Sequence, residues 1–293
     1  MATTDSARPE PTPERRAPSV VRTDDGRRIA YATYGPPTGD PLVFLHGTPG
    51  SRRLGALLEP SARANDVRVV APDRPGYGRS SPEPDRTVGD AAASVRPVLD
   101  DLGVERAALV AFSGGAPHAL ATAASLGDRV TGVDLVAGAT LPSFGGDTPA
   151  VQRLLSGLAA ATPSLLGALF RGQAWVASRA DSSCVVAQYA EDPDAVPEDA
   201  ATVVKEDFLA AFERHRSGAV TEFRDAADDW GIDLDAVDPP VRLWHGTADP
   251  NVPIAGAERL TEALPTAELR VLDGADHLGT LLRAVPEALS RPR

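Results

Sequence analysis

The chain has 293 residues, 42% of them hydrophobic, enough for one large domain or for one domain with an insertion. Its net charge of −12 repels phosphate backbones and excludes nucleic acid as a partner. The lone cysteine, Cys184, forms no internal disulfide; with no secretory signal and no uninterrupted run of about 18 apolar residues, a cytoplasmic chain without stable membrane insertion is expected.

Residues 1–19, rich in Pro, Arg, Glu and Thr, read as a disordered leader. Strands are expected at 20–23 and 28–34, flanking an Asp25-Gly26 turn. Residues 41–46 form a short apolar run closed by Gly47 and read as a buried strand. A helix over 52–65, a strand at 67–71 and a helix over 88–102, closed by Gly103, follow. Residues 107–112 are a further apolar strand, which runs directly into an alanine-rich helix over 114–126; 130–136 are again a strand.

From 139 to 238 the pattern turns helical, with no central strand. Strands resume at 241–244 and 268–272, each followed by a helix, at 254–264 and 279–289. Such alternation implies right-handed βαβ units and a mostly parallel sheet covered on both faces. The expected organisation is an α/β core over 20–138 and 239–293, interrupted by a helical lid over 139–238 that is longer than any ordinary loop.

The segment Phe112-Ser113-Gly114-Gly115 sets a serine between an apolar strand and a helix start. A nucleophile there needs a tight, strained turn, with small residues two positions to either side so that strand and helix can approach; Ala111 and Gly115 meet that need. A plain turn with a helix-capping serine has the same composition. A serine hydroxyl needs a base, and the base needs a carboxylate to hold its tautomer. Trp244-His-Gly-Thr-Ala-Asp249 places an aspartate just beyond one strand, and Leu272-Asp-Gly-Ala-Asp-His277 a histidine in the loop after the last. Both lie at carboxyl ends of parallel strands, where open α/β sheets build their sites. Ser113, Asp249 and His277 are therefore the candidate nucleophile, acid and base. Gly114 and Thr48 are the candidate oxyanion donors; Pro49 has no N–H to offer.

Together, His46-Gly-Thr-Pro-Gly-Ser51, Asp73-Arg-Pro-Gly-Tyr-Gly-Arg-Ser80, Phe112-Ser-Gly-Gly115, Trp244-His-Gly-Thr-Ala-Asp249 and Gly274-Ala-Asp-His277 resemble the α/β-hydrolase superfamily. The resemblance spans residues 20–290 apart from the lid, and Ala111, where relatives carry glycine, is its one departure. It implies a serine hydrolase working through an acyl-enzyme on a small-molecule substrate, with no metal or organic cofactor; a homodimer is compatible with it. Asp73 and Arg74 are expected to make loop contacts.

The leading expectation is hydrolysis of a small to medium, largely apolar carboxylic ester under a leucine-rich lid. Proline iminopeptidases are similar in the His-Gly-x-Pro-Gly stretch, with Glu206 or Glu213 as candidates to hold a substrate amine. A C–C or lactone hydrolase shares the machinery, and a non-catalytic small-molecule binder shares the fold. Dehalogenases of this fold use an aspartate where this chain has Ser113.

Overall fold

The structure, a computed structural model, describes residues 17–144, 149–226 and 228–290. The expectation of a disordered leader falls almost entirely outside them. Eight strands form one sheet: β1 (Ser19–Arg22), β2 (Arg28–Tyr34), β3 (Asp40–Leu45), β4 (Val67–Pro72), β5 (Ala107–Phe112), β6 (Val130–Val136), β7 (Val241–Gly246) and β8 (Ala267–Leu272). Their spatial order is β1-β2-β4-β3-β5-β6-β7-β8; β2 runs antiparallel to β1 and β4, and every other pairing is parallel. This is the mostly parallel α/β sheet expected of the sequence.

The central strand β5 is the uninterrupted run AALVAF, every residue of it buried, as a strand covered on both faces requires. It pairs with β3 (Leu42 opposite Ala108) and β6 (Phe112 opposite Val136), so the ends of these strands converge on one rim. Helices α1 (Glu59–Ala64), α2 (Ala92–Asp101), α3 (Ala116–Leu126), α9 (Ile254–Ala263) and α10 (His277–Ser290) belong to the sheet region. One apolar cluster packs Phe44, Val110 and Trp244 against Leu281 and Val285 of α10; the other packs Leu45, Leu109 and Leu135 against Leu120 of α3 and Leu260 of α9.

Between β6 and β7 the described residues hold helices α4 (Ala150–Ala161), α5 (Pro163–Ala177), α6 (Ser182–Val186), α7 (Glu198–Ala211) and α8 (Ser217–Asp225), and no strand. Among them Phe170 stacks on Phe212 and Phe208 meets Phe212 edge-on, with ring centroids 5.3 Å apart in each pair. Of the leucine-rich lid, Leu154, Leu165 and Leu169 are exposed, whereas Leu166 and Phe170 of α5 are buried.

Asp207 of α7 is buried and ties this region to the core. Its Oδ1 accepts from the Ser51 N–H (2.7 Å), the Ser51 hydroxyl (2.7 Å) and the Leu54 N–H (3.1 Å). Burial outweighs these hydrogen bonds and pushes the carboxyl up to about 7. Between its ordinary pKa of 3.8 and about 7 the folded protein thus holds a proton that the unfolded chain has lost. Asp207 accordingly costs stability progressively as pH rises through that window, and in full above it. Asp207→Asn should remove this contribution. Its unfolding free energy should gain roughly 2–4 kcal/mol on the wild type's between pH 5 and pH 8, seen as a relative rise in melting temperature. Parallel melting-temperature curves for the two proteins would show that Asp207 does not titrate there.

Candidate active site

Ser113 follows the last residue of β5 and opens the turn into α3. Its φ is 51°, the left-handed region that side chains other than glycine's occupy at a cost, and this aims the residue out of the strand at the sheet's rim. The crowding explains the neighbouring glycines. A Cβ on Gly115 would stand 2.4 Å from the Leu45 carbonyl oxygen, and one on Gly114 2.2 Å from Thr48 Oγ1. Gly114 thereby lets the loop after β3 approach until that Cβ position is only 3.2 Å from Thr48 N. Among the described residues the Thr48 N–H has no hydrogen-bond partner.

Asp249 lies beyond β7, and His277 is the first residue of α10 rather than part of the loop expected from sequence. His277 Nδ1 is 2.7 Å from Asp249 Oδ2, with both side chains buried. Asp249 Oδ1 accepts from the N–H groups of Asn251 (2.8 Å) and Val252 (3.0 Å). Burial draws the Asp249 pKa upward, but the hydrogen bond and charge of His277, with the two backbone donors, more than offset it and hold the carboxylate below its usual range. The His277 ring packs 4.8 Å from the Phe112 ring, centroid to centroid, beside the serine. The Ser113 hydroxyl and the imidazole share this rim without being hydrogen-bonded to each other. Catalytic hydrogen bonds are often long before substrate binds.

Other acidic and imidazole side chains of the sheet region have partners of their own. Asp276 accepts from the Gly279 N–H (2.7 Å) and the Glu191 N–H (2.9 Å), while Asp273 accepts from the Thr247 hydroxyl at 3.2 Å. Asp134 is held by Arg242 and by Trp244 Nε1 at 2.8 Å. His245 Nε2 meets the Val252 carbonyl at 2.9 Å.

Ser113, Gly114 and Thr48 open onto a cavity of about 560 Å³ roofed by residues of α4, α5 and α8. Its walls include Leu155, Phe170, Phe223 and Trp230, with the amides of Gln152 and Gln173. Glu206 and Glu213, suggested above as amine-binding, are not among its walls: Glu206 pairs with Arg53 at 2.6 Å and Glu213 with Arg79 at 2.6 Å.

Two lid carboxylates of α8 do reach the cavity, and sequence reasoning missed both: Asp225, which pairs with Arg224 at 2.8 Å, and the more deeply buried Glu222. Glu222 accepts from Arg74 Nε (2.9 Å) and Nη2 (2.7 Å), Arg86 Nη2 (2.7 Å), the Tyr77 hydroxyl (2.8 Å) and the Thr48 hydroxyl (2.6 Å). Burial opposes its ionisation, but the charges of Arg74 and Arg86 and the hydrogen bond from His118 hold its pKa well below the usual range. His118 Nε2 lies 3.2 Å from Glu222 Oε1, and burial keeps that imidazole neutral, with its pKa lowered to about 4. Among the described residues no cluster of His, Cys, Asp and Glu could hold a metal ion, and no helix is long and apolar enough to cross a membrane.

Residues 40–284 match the model of a family described as alpha/beta hydrolase fold. The chain belongs to that family. It is 32% identical over 150 residues to a haloalkane dehalogenase from Mycobacterium marinum, an alignment covering 50% of each chain. It is 34% identical over 122 residues to a proline iminopeptidase from Xanthomonas citri, covering 40% of this chain and 37% of that one. The α/β-hydrolase chain thus spans half or less of the length of these curated relatives. Among solved structures it is similar to Est816, described as an N-acyl homoserine lactone degrading enzyme, with 26% identity, a TM-score of 0.66 and coverage of 92% of this chain and 98% of that one.

Proposed function

We propose that the protein is a serine hydrolase that cleaves a neutral carboxylic ester of small to medium size through an acyl-enzyme. The observation that carries this reading is the buried His277–Asp249 pair beside a serine in the left-handed conformation, at the rim of a cavity where the Thr48 N–H is unpartnered. His277 takes the Ser113 proton as the hydroxyl attacks the acyl carbon, and Asp249 stabilises the imidazolium. Thr48 and Gly114 N–H groups hold the developing oxyanion. The proton on His277 then goes to the departing alcohol, and water activated by the same imidazole releases the acid.

Apolar walls favour a largely hydrocarbon acyl or alcohol group, and the amides of Gln152 and Gln173 suit an uncharged polar substituent. The likeness to Est816 supports a cyclic ester as the second reading. An aminopeptidase is disfavoured because both lid carboxylates in the walls already have arginine partners, Glu222 with Arg74 and Arg86 and Asp225 with Arg224. A dehalogenase is disfavoured by Ser113 in the nucleophile position.

A fluorophosphonate probe should label the protein stoichiometrically, and nitrophenyl esters of graded acyl length should be hydrolysed much faster than prolyl arylamides. Folded protein that takes no label would overturn the hydrolase reading. Label with preferred turnover of the arylamide would leave the serine mechanism and overturn the ester.

A further inference from the structure

The loop that carries Thr48 is gripped from behind by a charged group whose placement exceeds what a structural tie requires. The Gly47 carbonyl and the Thr48 N–H belong to one planar, resonance-stabilised amide. Gly47 O accepts from Arg74 Nη2 at 3.0 Å and lies 2.8 Å from His46 Nδ1. The backbone N–H of Arg74 donates to His46 Nε2 at 3.2 Å, so Nε2 is the acceptor and Nδ1 carries the proton; His46 is the second donor to Gly47 O. The remaining terminus of the guanidinium, Nη1, donates to the preceding carbonyl, His46 O. One arginine thus spans two successive carbonyls.

Glu222 holds the guanidinium in that position through Nε and Nη2, while the same carboxylate accepts from Arg86 and from the Thr48 hydroxyl. Two arginines thus face this carboxylate, and of the two it is Arg74 that reaches on to the Gly47 and His46 carbonyls. A cation donating to a carbonyl draws electron density toward that oxygen. Amide resonance passes the effect to the N–H at the other end of the same peptide and makes it a stronger donor.

We infer that Arg74 is a positioning residue for the oxyanion site: held by Glu222, its guanidinium polarises the Gly47–Thr48 peptide so that the Thr48 N–H binds a developing oxyanion more tightly than an ordinary loop amide. This rests on the reading above that Thr48 is an oxyanion donor. The effect grows with charge on the bound oxygen, so it acts on the transition state and leaves binding of the uncharged ester nearly unchanged.

Arg74→Met and Arg74→Lys test it, with kcat, KM and the affinity of a trifluoromethyl ketone, whose adduct with Ser113 carries an oxyanion. Removing a whole oxyanion donor costs about 10²–10³ in kcat, so weakening one should cost Arg74→Met roughly 10–50-fold. KM should stay within about threefold and the ketone's affinity should fall in step with kcat. Arg74→Lys, whose single ammonium cannot span two carbonyls, should lose roughly three- to tenfold and covers the case in which the methionine variant does not fold.

A second readout needs no turnover. Gly–Thr bonds occur only at 47–48, 246–247 and 279–280, so glycine labelled at its carbonyl carbon with nitrogen-labelled threonine gives three amide signals, the first identified by its loss in Thr48→Ser. The 47–48 signal should move upfield in either arginine variant while the other two stay. A folded variant with wild-type kcat, ketone affinity and 47–48 shift overturns the inference. Full turnover in Ser113→Ala overturns the hydrolase reading instead, whatever the amide signal does.

Discussion

Ser113→Ala should lower kcat by roughly 10⁴–10⁶ while leaving the melting temperature and substrate affinity close to those of the wild type. The two halves of that expectation have separate causes. Stability should hold because Ser113 already occupies φ 51° and alanine meets the same backbone penalty there, so no new strain is introduced. The residue is also outside the fully buried set that packs β5. Catalysis should collapse because the one group removed is the nucleophile of the proposed mechanism. Thr48 Oγ1 does not replace it: that oxygen is committed to Glu222 at 2.6 Å. What survives is rate enhancement by the oxyanion donors and by orientation in the cavity, so the variant should still exceed the uncatalysed reaction. His277→Ala should fall as far, because nucleophile and base act as a unit. Steady-state hydrolysis of a nitrophenyl ester by freshly purified variants measures both. A Ser113→Ala protein within tenfold of the wild type would mean that the serine is only a turn residue.

Most of what positions this site is local, which is why it could be read from sequence. A buried parallel strand such as β5 is a short apolar run, and the residue after it falls at the sheet's rim whatever the rest of the chain does. Asp249 and His277 follow β7 and β8 by the same rule. Where local chemistry was misjudged, a proline is responsible in one case. Residues 52–65 read as a single helix, yet the first seven form a 3₁₀ turn and α1 starts only at Glu59. Pro60 lacks an N–H and clashes with the carbonyl four residues earlier, so a continuous α-helix across it is disfavoured, whereas the second position of a new helix suits it. Asp276 caps Gly279 and so extends α10 back to His277.

Glu222 was not legible, because its meaning lies in partners more than 100 residues away: Arg74 and Arg86 of the long connection after β4, and His118 of α3. A signal did exist. Ala219 and Glu222 are three residues apart on the buried face of α8, and a glutamate on the apolar face of an amphipathic helix requires a partner. Glu206 and Glu213 attracted attention by composition alone, and each turned out to serve an arginine outside the cavity.

Asp249→Asn should cost about 10⁴ in kcat with little loss of stability, a larger effect than the isosteric change suggests. The two backbone donors on Asp249 Oδ1 decide it. Asn251 and Val252 present N–H groups to that oxygen at 2.8 and 3.0 Å, so the amide of an asparagine must turn its own oxygen toward them; the opposite orientation would set N–H against N–H. Its NH₂ group then faces His277 Nδ1 at the position where Oδ2 now lies 2.7 Å away. A donor there stabilises the tautomer that carries its proton on Nε2, and such an imidazole cannot accept the Ser113 proton. Geometry is preserved and the base is disabled. Asp249→Ala is the less informative change, since it strands two backbone N–H groups and an imidazole N–H in a buried site and confounds activity with folding. Determining kcat beside the melting temperature for the asparagine variant separates the two effects. A near-normal rate in folded Asp249→Asn would transfer the orienting role to Asp273 or Asp276, and either of these would first have to give up the hydrogen bonds it makes to Thr247, or to Gly279 and Glu191.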